Sequence, residues 1–105
     1  MKTIRNDGNY LVFECCNVFF DISKITDRHL RIDFICSKIP KRGNGSVALK
    51  SLCAYADSAE KTLSLLPCTN SGIPIKELKK WYNRNGFVDY DDGMIRYPLN
   101  GKSNG

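Results

Sequence analysis

Ile39-Pro40-Lys41-Arg42-Gly43-Asn44-Gly45-Ser46 combines the residue types that hold an anion. Leu30 to Cys36, just before it, reads as a strand. After it, Val47, Ala48, Leu49, Leu52, Cys53 and Ala56 recur at helical spacing. A strand, a basic glycine turn and a helix in that order make a phosphate cradle. The glycines let the backbone approach the ligand, where a Cβ would hold it off. The helix supplies unpaired N–H groups and the positive end of its dipole. Lys41 and Arg42 add charge.

Few other residues are placed for chemistry. Asp33 is a single carboxylate among apolar neighbours, and His29 is the one histidine. Five cysteines (Cys15, Cys16, Cys36, Cys53 and Cys68) form no Cys-x-x-Cys pair. With one histidine they complete no zinc set, so no metal site is expected. Cys15 and Cys16 would point to opposite faces of a strand, which argues against a joint site. Free thiols, buried in a reducing cytoplasm, are the expectation for the set.

The elements that position these residues follow from periodicity and punctuation. Met1 to Asn9 is polar and reads as an edge or a fraying end. Tyr10 to Ile22 is rich in Val, Phe and Tyr, and Asn17 marks a turn or bulge that divides it into two paired strands. Ser23 to His29 reads as a polar connection. In the strand ending at Ser37, Ile32, Phe34 and Cys36 share one face, while Asp33, Ile35 and Ser37 share the other. The helix runs from Asn44 to Ala59, with Leu49, Leu52, Cys53 and Ala56 inside and Lys50, Asp57 and Ser58 outside. Lys61 to Pro67 returns as a strand, and the strand–helix–strand unit implies parallel pairing. A second helix opens near Pro74. It sets Ile75, Leu78, Trp81 and Tyr82 against Lys76, Glu77, Lys79, Lys80 and Arg84, and stops at Asn85-Gly86. Asp91-Asp92-Gly93 joins two last strands as a hairpin. The sum is one α+β domain over residues 1–98, with a mixed, mostly antiparallel sheet around a central parallel pair. Residues 99–105 read as a disordered tail.

A chain of 105 residues buries roughly 65% of its unfolded surface, enough for a real core. Sixteen Lys and Arg against 11 Asp and Glu give a net charge of +5, which favours an anionic partner. No apolar run approaches the roughly 20 residues of a membrane span, and no signal-peptide pattern opens the chain. A cytoplasmic protein without a membrane partner is expected.

Two segments resemble the GNAT superfamily of N-acetyltransferases. Pro40 to Ser46, running into Ala48-Leu49-Lys50-Ser51-Leu52, is similar to the family's acetyl-CoA pyrophosphate loop and the helix after it. Trp81-Tyr82-Asn83-Arg84-Asn85-Gly86-Phe87-Val88 is similar to its late helix-to-strand segment. The likeness covers Leu30 to Tyr97. The family loop reads Gln/Arg-x-x-Gly-x-Gly/Ala. Either Pro40 stands at the basic position, with Gly43 and Gly45 as the glycines, or Arg42 does, with Gly45 and Val47 following. The apolar stripe favours the first register. The resemblance implies acetyl-CoA as co-substrate, held by Lys41, Arg42, Gly43, Asn44, Gly45 and Ser46, with the backbone of Ile35, Cys36 and Ser37 along the pantetheine arm. It implies Tyr82 as general acid to the leaving thiolate. The family's strand Glu has no counterpart, which leaves Asp33, acting through a water, as the base. The family Asn before the Tyr is replaced by Ile75, with Asn70 as a substitute cofactor contact. Set against the family, the chain is short and is expected to lack most of the N-terminal helices that usually wall the acceptor site. That leaves an open pocket, or one completed by a partner subunit such as a homodimer would supply.

The function expected is transfer of acetyl from acetyl-CoA to an amine, with a protein as acceptor. Small stand-alone proteins of this kind resemble those carried by phages. Two alternatives stand beside it: a GNAT-like interaction protein without catalysis, and a basic nucleic-acid-binding module using the Lys76–Arg84 helix.

Overall fold

The computed structural model describes residues 2–37, 44–67 and 74–99. Cys68 and most of the predicted anion loop lie outside them. Seven strands and two helices follow in the order β1 (Lys2–Asn6), β2 (Tyr10–Cys15), β3 (Val18–Thr26), β4 (His29–Ser37), α1 (Asn44–Ser58), β5 (Thr62–Leu65), α2 (Ile75–Arg84), β6 (Val88–Tyr90) and β7 (Gly93–Arg96). They form one sheet ordered β1-β2-β3-β4-β5-β7-β6, in which only β4 and β5 pair in parallel. This is the α+β mixed sheet expected.

β1 connects to β2 through residues 7–9 alone, so no helix stands between the first two strands. The edge reading of the N-terminus holds, and every β1 residue is exposed. Cys16 and Asn17, with φ of 55° and 66°, make the two-residue turn that closes β2 onto β3. Left-handed residues at both turn positions match the twist of the flanking strands. β3 runs on to Thr26, through residues read from sequence as a polar connection. Pairing with β2 and β4 outweighs their polarity, as it does on half-solvated sheets.

Both helices pack on one face of the sheet. Leu49, Leu52 and Ala56 of α1 and Leu78 and Tyr82 of α2 join one core with Phe13, Phe20, Leu30 and Leu63. The other face carries Tyr10, Asp21, Arg31, Phe34 and Val88, all exposed. Strict alternation along β4 is broken. Asp21 pairs with Phe34 and Ile22 with Ile32, so Asp33 is an extra residue, a β-bulge. The expected face of Ile32, Phe34 and Cys36 is therefore corrected. Ile32 and Ile35 meet the core, while Phe34 and Cys36 turn to the open face.

The C-terminal half is fastened by Arg96, whose side chain is 4% exposed. Its guanidinium donates to Asp57 at 2.8 and 3.0 Å and to the Asn85 carbonyl at 2.8 Å. It thus joins β7, the end of α1 and the end of α2. Asp57, read as an outward residue, also accepts the Leu99 amide at 2.7 Å. The Arg96 hydrogen bonds hold its carboxyl below the usual carboxylate range. α2 stops as expected. Phe87 N–H donates to the Tyr82 carbonyl and Gly86 N–H to the Asn83 carbonyl, with Gly86 at φ 97°. In the last hairpin the turn is Asp91-Asp92, with Asp91 at φ 53°. Gly93 belongs to the strand instead, where a Cβ would lie 2.2 Å from the Leu65 carbonyl oxygen.

Candidate active site

The parallel β4–β5 ladder comprises four residue pairs, His29↔Thr62 to Ile32↔Leu65, and stops there. β4 continues through Asp33 to Ser37, paired on its other side with β3. At the Asp33 bulge the strand parts from β5. Ile35, Cys36 and Ser37 have no strand partner on the β5 side among the described residues. These are the three positions expected to meet the pantetheine arm. A strand edge of unpaired N–H and C=O groups is a ready partner for an extended amide chain.

α1 begins at Asn44, seven positions after Ser37 in sequence, and its first-turn N–H groups have no partner within the helix. Asn44, Gly45 and Ser46 form this turn, as predicted. Lys41, Arg42, Gly43 and Asn70 lie outside the described residues, as does Pro40, so the two loop registers stay open. Gly45 is helical, without a positive φ. A Cβ built there would meet the Trp81 ring at 3.6 and 3.8 Å. Its side-chain direction faces Trp81 of α2.

Trp81 is the neighbour that the sequence did not suggest. Its indole Nε1–H donates to Ser46 Oγ at 2.9 Å, tying α2 to the first turn of α1. An indole N–H seeks an acceptor wherever its ring is partly covered, and that was the one available signal. Beside it on α2, Tyr82 is 8% exposed. Its ring lies 4.9 Å from that of Trp81 and 5.5 Å from that of Phe87. One helix segment therefore carries the predicted acid and touches the predicted anion site.

Asp33 does not join this group. Its Oδ1 accepts from Arg31 Nε at 2.7 Å, and its Oδ2 accepts from the Ser23 hydroxyl. Arg31 and Ser23 pair across β3 and β4 on the open face, so Asp33 and Tyr82 are on opposite faces of the sheet. A cleft of about 420 Å³ on the open face includes Asp33, Asp21, Asp7, Arg5 and Tyr10 in its lining. His29 of β4 bonds Ser64 of β5 at 2.7 Å.

The cysteine expectations need correction. Cys53 is buried, which pushes its thiol pKa up, but Cys16 and Cys36 are exposed. Cys16 lies in the turn and not in the strand, so alternation does not separate it from Cys15. Their sulfurs are 3.5 Å apart, and the contact raises the Cys16 pKa. Among the described residues no group of His, Cys, Asp and Glu could hold a metal ion, and no helix is long and apolar enough to cross a membrane.

No family model matches the sequence, and no curated protein matches it significantly. Solved structures do share its fold. The anti-CRISPR protein AcrVA5 is similar with a TM-score of 0.64 and 21% identity, over 85% of this chain and 98% of that one. Ard1 from Thermoplasma volcanium is similar with a TM-score of 0.60 and 20% identity, over 87% and 71%. GCN5 of Tetrahymena is similar with a TM-score of 0.59 and 15% identity, over 89% and 71%. The fold is that of the GNAT acetyltransferases.

Proposed function

We propose that this chain is an N-acetyltransferase that moves the acetyl group of acetyl-CoA to an amine on a protein. The observation that carries the reading is the end of β4–β5 pairing after Ile32↔Leu65, with β4 running on and α1 following it in sequence. The residues fit the co-substrate. A free strand edge suits the amides of a pantetheine arm, and the first-turn N–H groups of α1 suit a pyrophosphate. Lys41, Arg42 and Gly43 precede that turn in sequence and complete the anion loop, and Asn70 adds a polar contact. Acetyl-CoA supplies an activated thioester.

The chain's own residues then have two tasks. The N–H groups of Ile35 to Ser37 polarise the thioester carbonyl as charge develops on its oxygen. Tyr82 gives its proton to the departing sulfur as general acid. With both Asp33 oxygens bonded to Arg31 and Ser23, we assign Asp33 to holding the bulge. The amine's proton leaves to solvent across the open sheet face. That face carries no helix among the described residues and admits a folded protein as acceptor. The match to 98% of an anti-CRISPR protein supports a target among proteins of CRISPR defence, and with it a phage setting.

Calorimetry with acetyl-CoA tests the reading, and absence of binding at millimolar concentration would sink it. Given binding, Tyr82→Phe should lower turnover about 100-fold, the low end for removing a general acid. Affinity for acetyl-CoA should stay within about twofold, because the hydroxyl acts on the departing sulfur and not on ground-state binding.

A further inference from the structure

Ser46 and Trp81 are 35 positions apart and meet at the start of α1. The indole can only donate, so in this 2.9 Å contact the Ser46 oxygen is the acceptor. A serine hydroxyl holds one proton and two lone pairs. With one lone pair taken by the indole, its own proton is turned away from Trp81. Ser46 is exposed and lies in the first helical turn, where the backbone N–H groups also point outward. The Trp81 ring itself is half-buried and packed against the core. It lies beside Gly45, where even a Cβ would make only ordinary contact with the ring at 3.6 Å. A half-buried ring therefore bars one position of the hydroxyl proton and leaves it to donate away from Trp81.

We propose that Trp81 is a positioning residue of the anion site. Its N–H orients the Ser46 hydroxyl as a donor to the pyrophosphate of CoA, alongside the helix amides. The proposal rests on the acetyl-CoA reading above. It adds that the anion site belongs to both helices, and that the segment bearing Tyr82 also sets the donor geometry at the other end of the co-substrate. An unoriented hydroxyl would share its proton between water and ligand, and binding would have to order it.

Titration with CoA tests this on the wild type, Trp81→Phe, Ser46→Ala and the double variant. Phenylalanine keeps a ring against Gly45 and removes the N–H. Each single change should weaken CoA binding about tenfold, the scale of one hydrogen bond to a charged group. The double variant should be no weaker than the weaker single one, and Ser46→Thr should restore most of the affinity. A second readout leaves Trp81 in place. It is the sole tryptophan, so its emission should change with CoA in the wild type and change much less in Ser46→Ala. Effects that multiply in the double variant, or a Ser46→Ala protein with wild-type affinity, would overturn the proposal and leave the transferase reading standing. A wild type that binds no CoA would overturn both.

Discussion

Gly45 lies in the first turn of α1 with its side-chain direction toward Trp81. In a glycine loop the expectation is that its lack of a side chain lets an anion approach. In the fold its Cβ direction points at the Trp81 ring, which an added Cβ would meet at 3.6 Å, an ordinary contact. Gly45→Ala should therefore fold with an unchanged or slightly higher melting temperature and bind CoA within about twofold of wild type, since alanine is the better helix former. Gly45→Leu should displace Trp81 and weaken binding, and CoA titration of the two variants separates the explanations. A second prediction belongs to the cysteine pair. Two thiols 3.5 Å apart at a hairpin tip can bridge one trivalent arsenic. Phenylarsine oxide should add once, losing water, as read by intact mass. Cys15→Ser or Cys16→Ser should abolish the tight adduct, and Cys36→Ser should leave it. No residue-type signal could have announced this pair. It depends on where the turn falls, and Asn17 alone left a turn and a bulge equally open.

At the scale of elements, Arg96 is the hinge of the C-terminal half. Asp57→Asn would leave a guanidinium 4% exposed without its carboxylate, at an expected loss of about 2 kcal/mol. The pH dependence has a definite sign. The Asp57 pKa is lowered by folding, so the unfolded chain takes the proton first. The pair's contribution is whole above the ordinary aspartate value of about 3.9. It is lost as pH falls below that value and through the folded pKa. Denaturant titrations at pH 7 and at pH 3 should therefore show the difference between wild type and Asp57→Asn shrinking on acidification. Periodicity had made Asp57 an outward residue, because it says nothing of a strand forty positions later that brings an arginine to the helix. The same limit appears in β4. Alternation placed Phe34 on the face of Ile32, and one inserted residue at Asp33 reversed it. Elements whose signals are local were legible: the α1 stripe, the Gly86 stop, the parallel β4–β5 unit. The bulge, the Trp81–Ser46 bond and the parting of the strands arise from pairing between distant segments, which a single sequence does not display.

Across the whole molecule the charge is uneven in a way that separates two kinds of anion binding. The net charge is +5, and three of the 16 basic residues, Lys38, Lys41 and Arg42, fall within five positions just ahead of α1. On α2 the basic face is partly cancelled, since Lys79 pairs with Asp89 at 3.0 Å and Lys80 lies 3.9 Å from Glu77. A module that tracks a nucleic-acid backbone needs a continuous basic surface, and its affinity falls steeply with salt. A compact phosphate site needs a few charges at one helix start. Binding of CoA should accordingly weaken about tenfold between 50 mM and 500 mM salt, as a few partly exposed charges are screened. Lys41→Gln with Arg42→Gln should remove most of that dependence along with part of the affinity. Duplex DNA or single-stranded RNA should give no shift at 150 mM salt. If nucleic acid instead bound more tightly than CoA, with a slope of several charges that the Lys41 and Arg42 changes left intact, the helix face and not the loop would be the anion site. The basic-module reading would then displace the transferase.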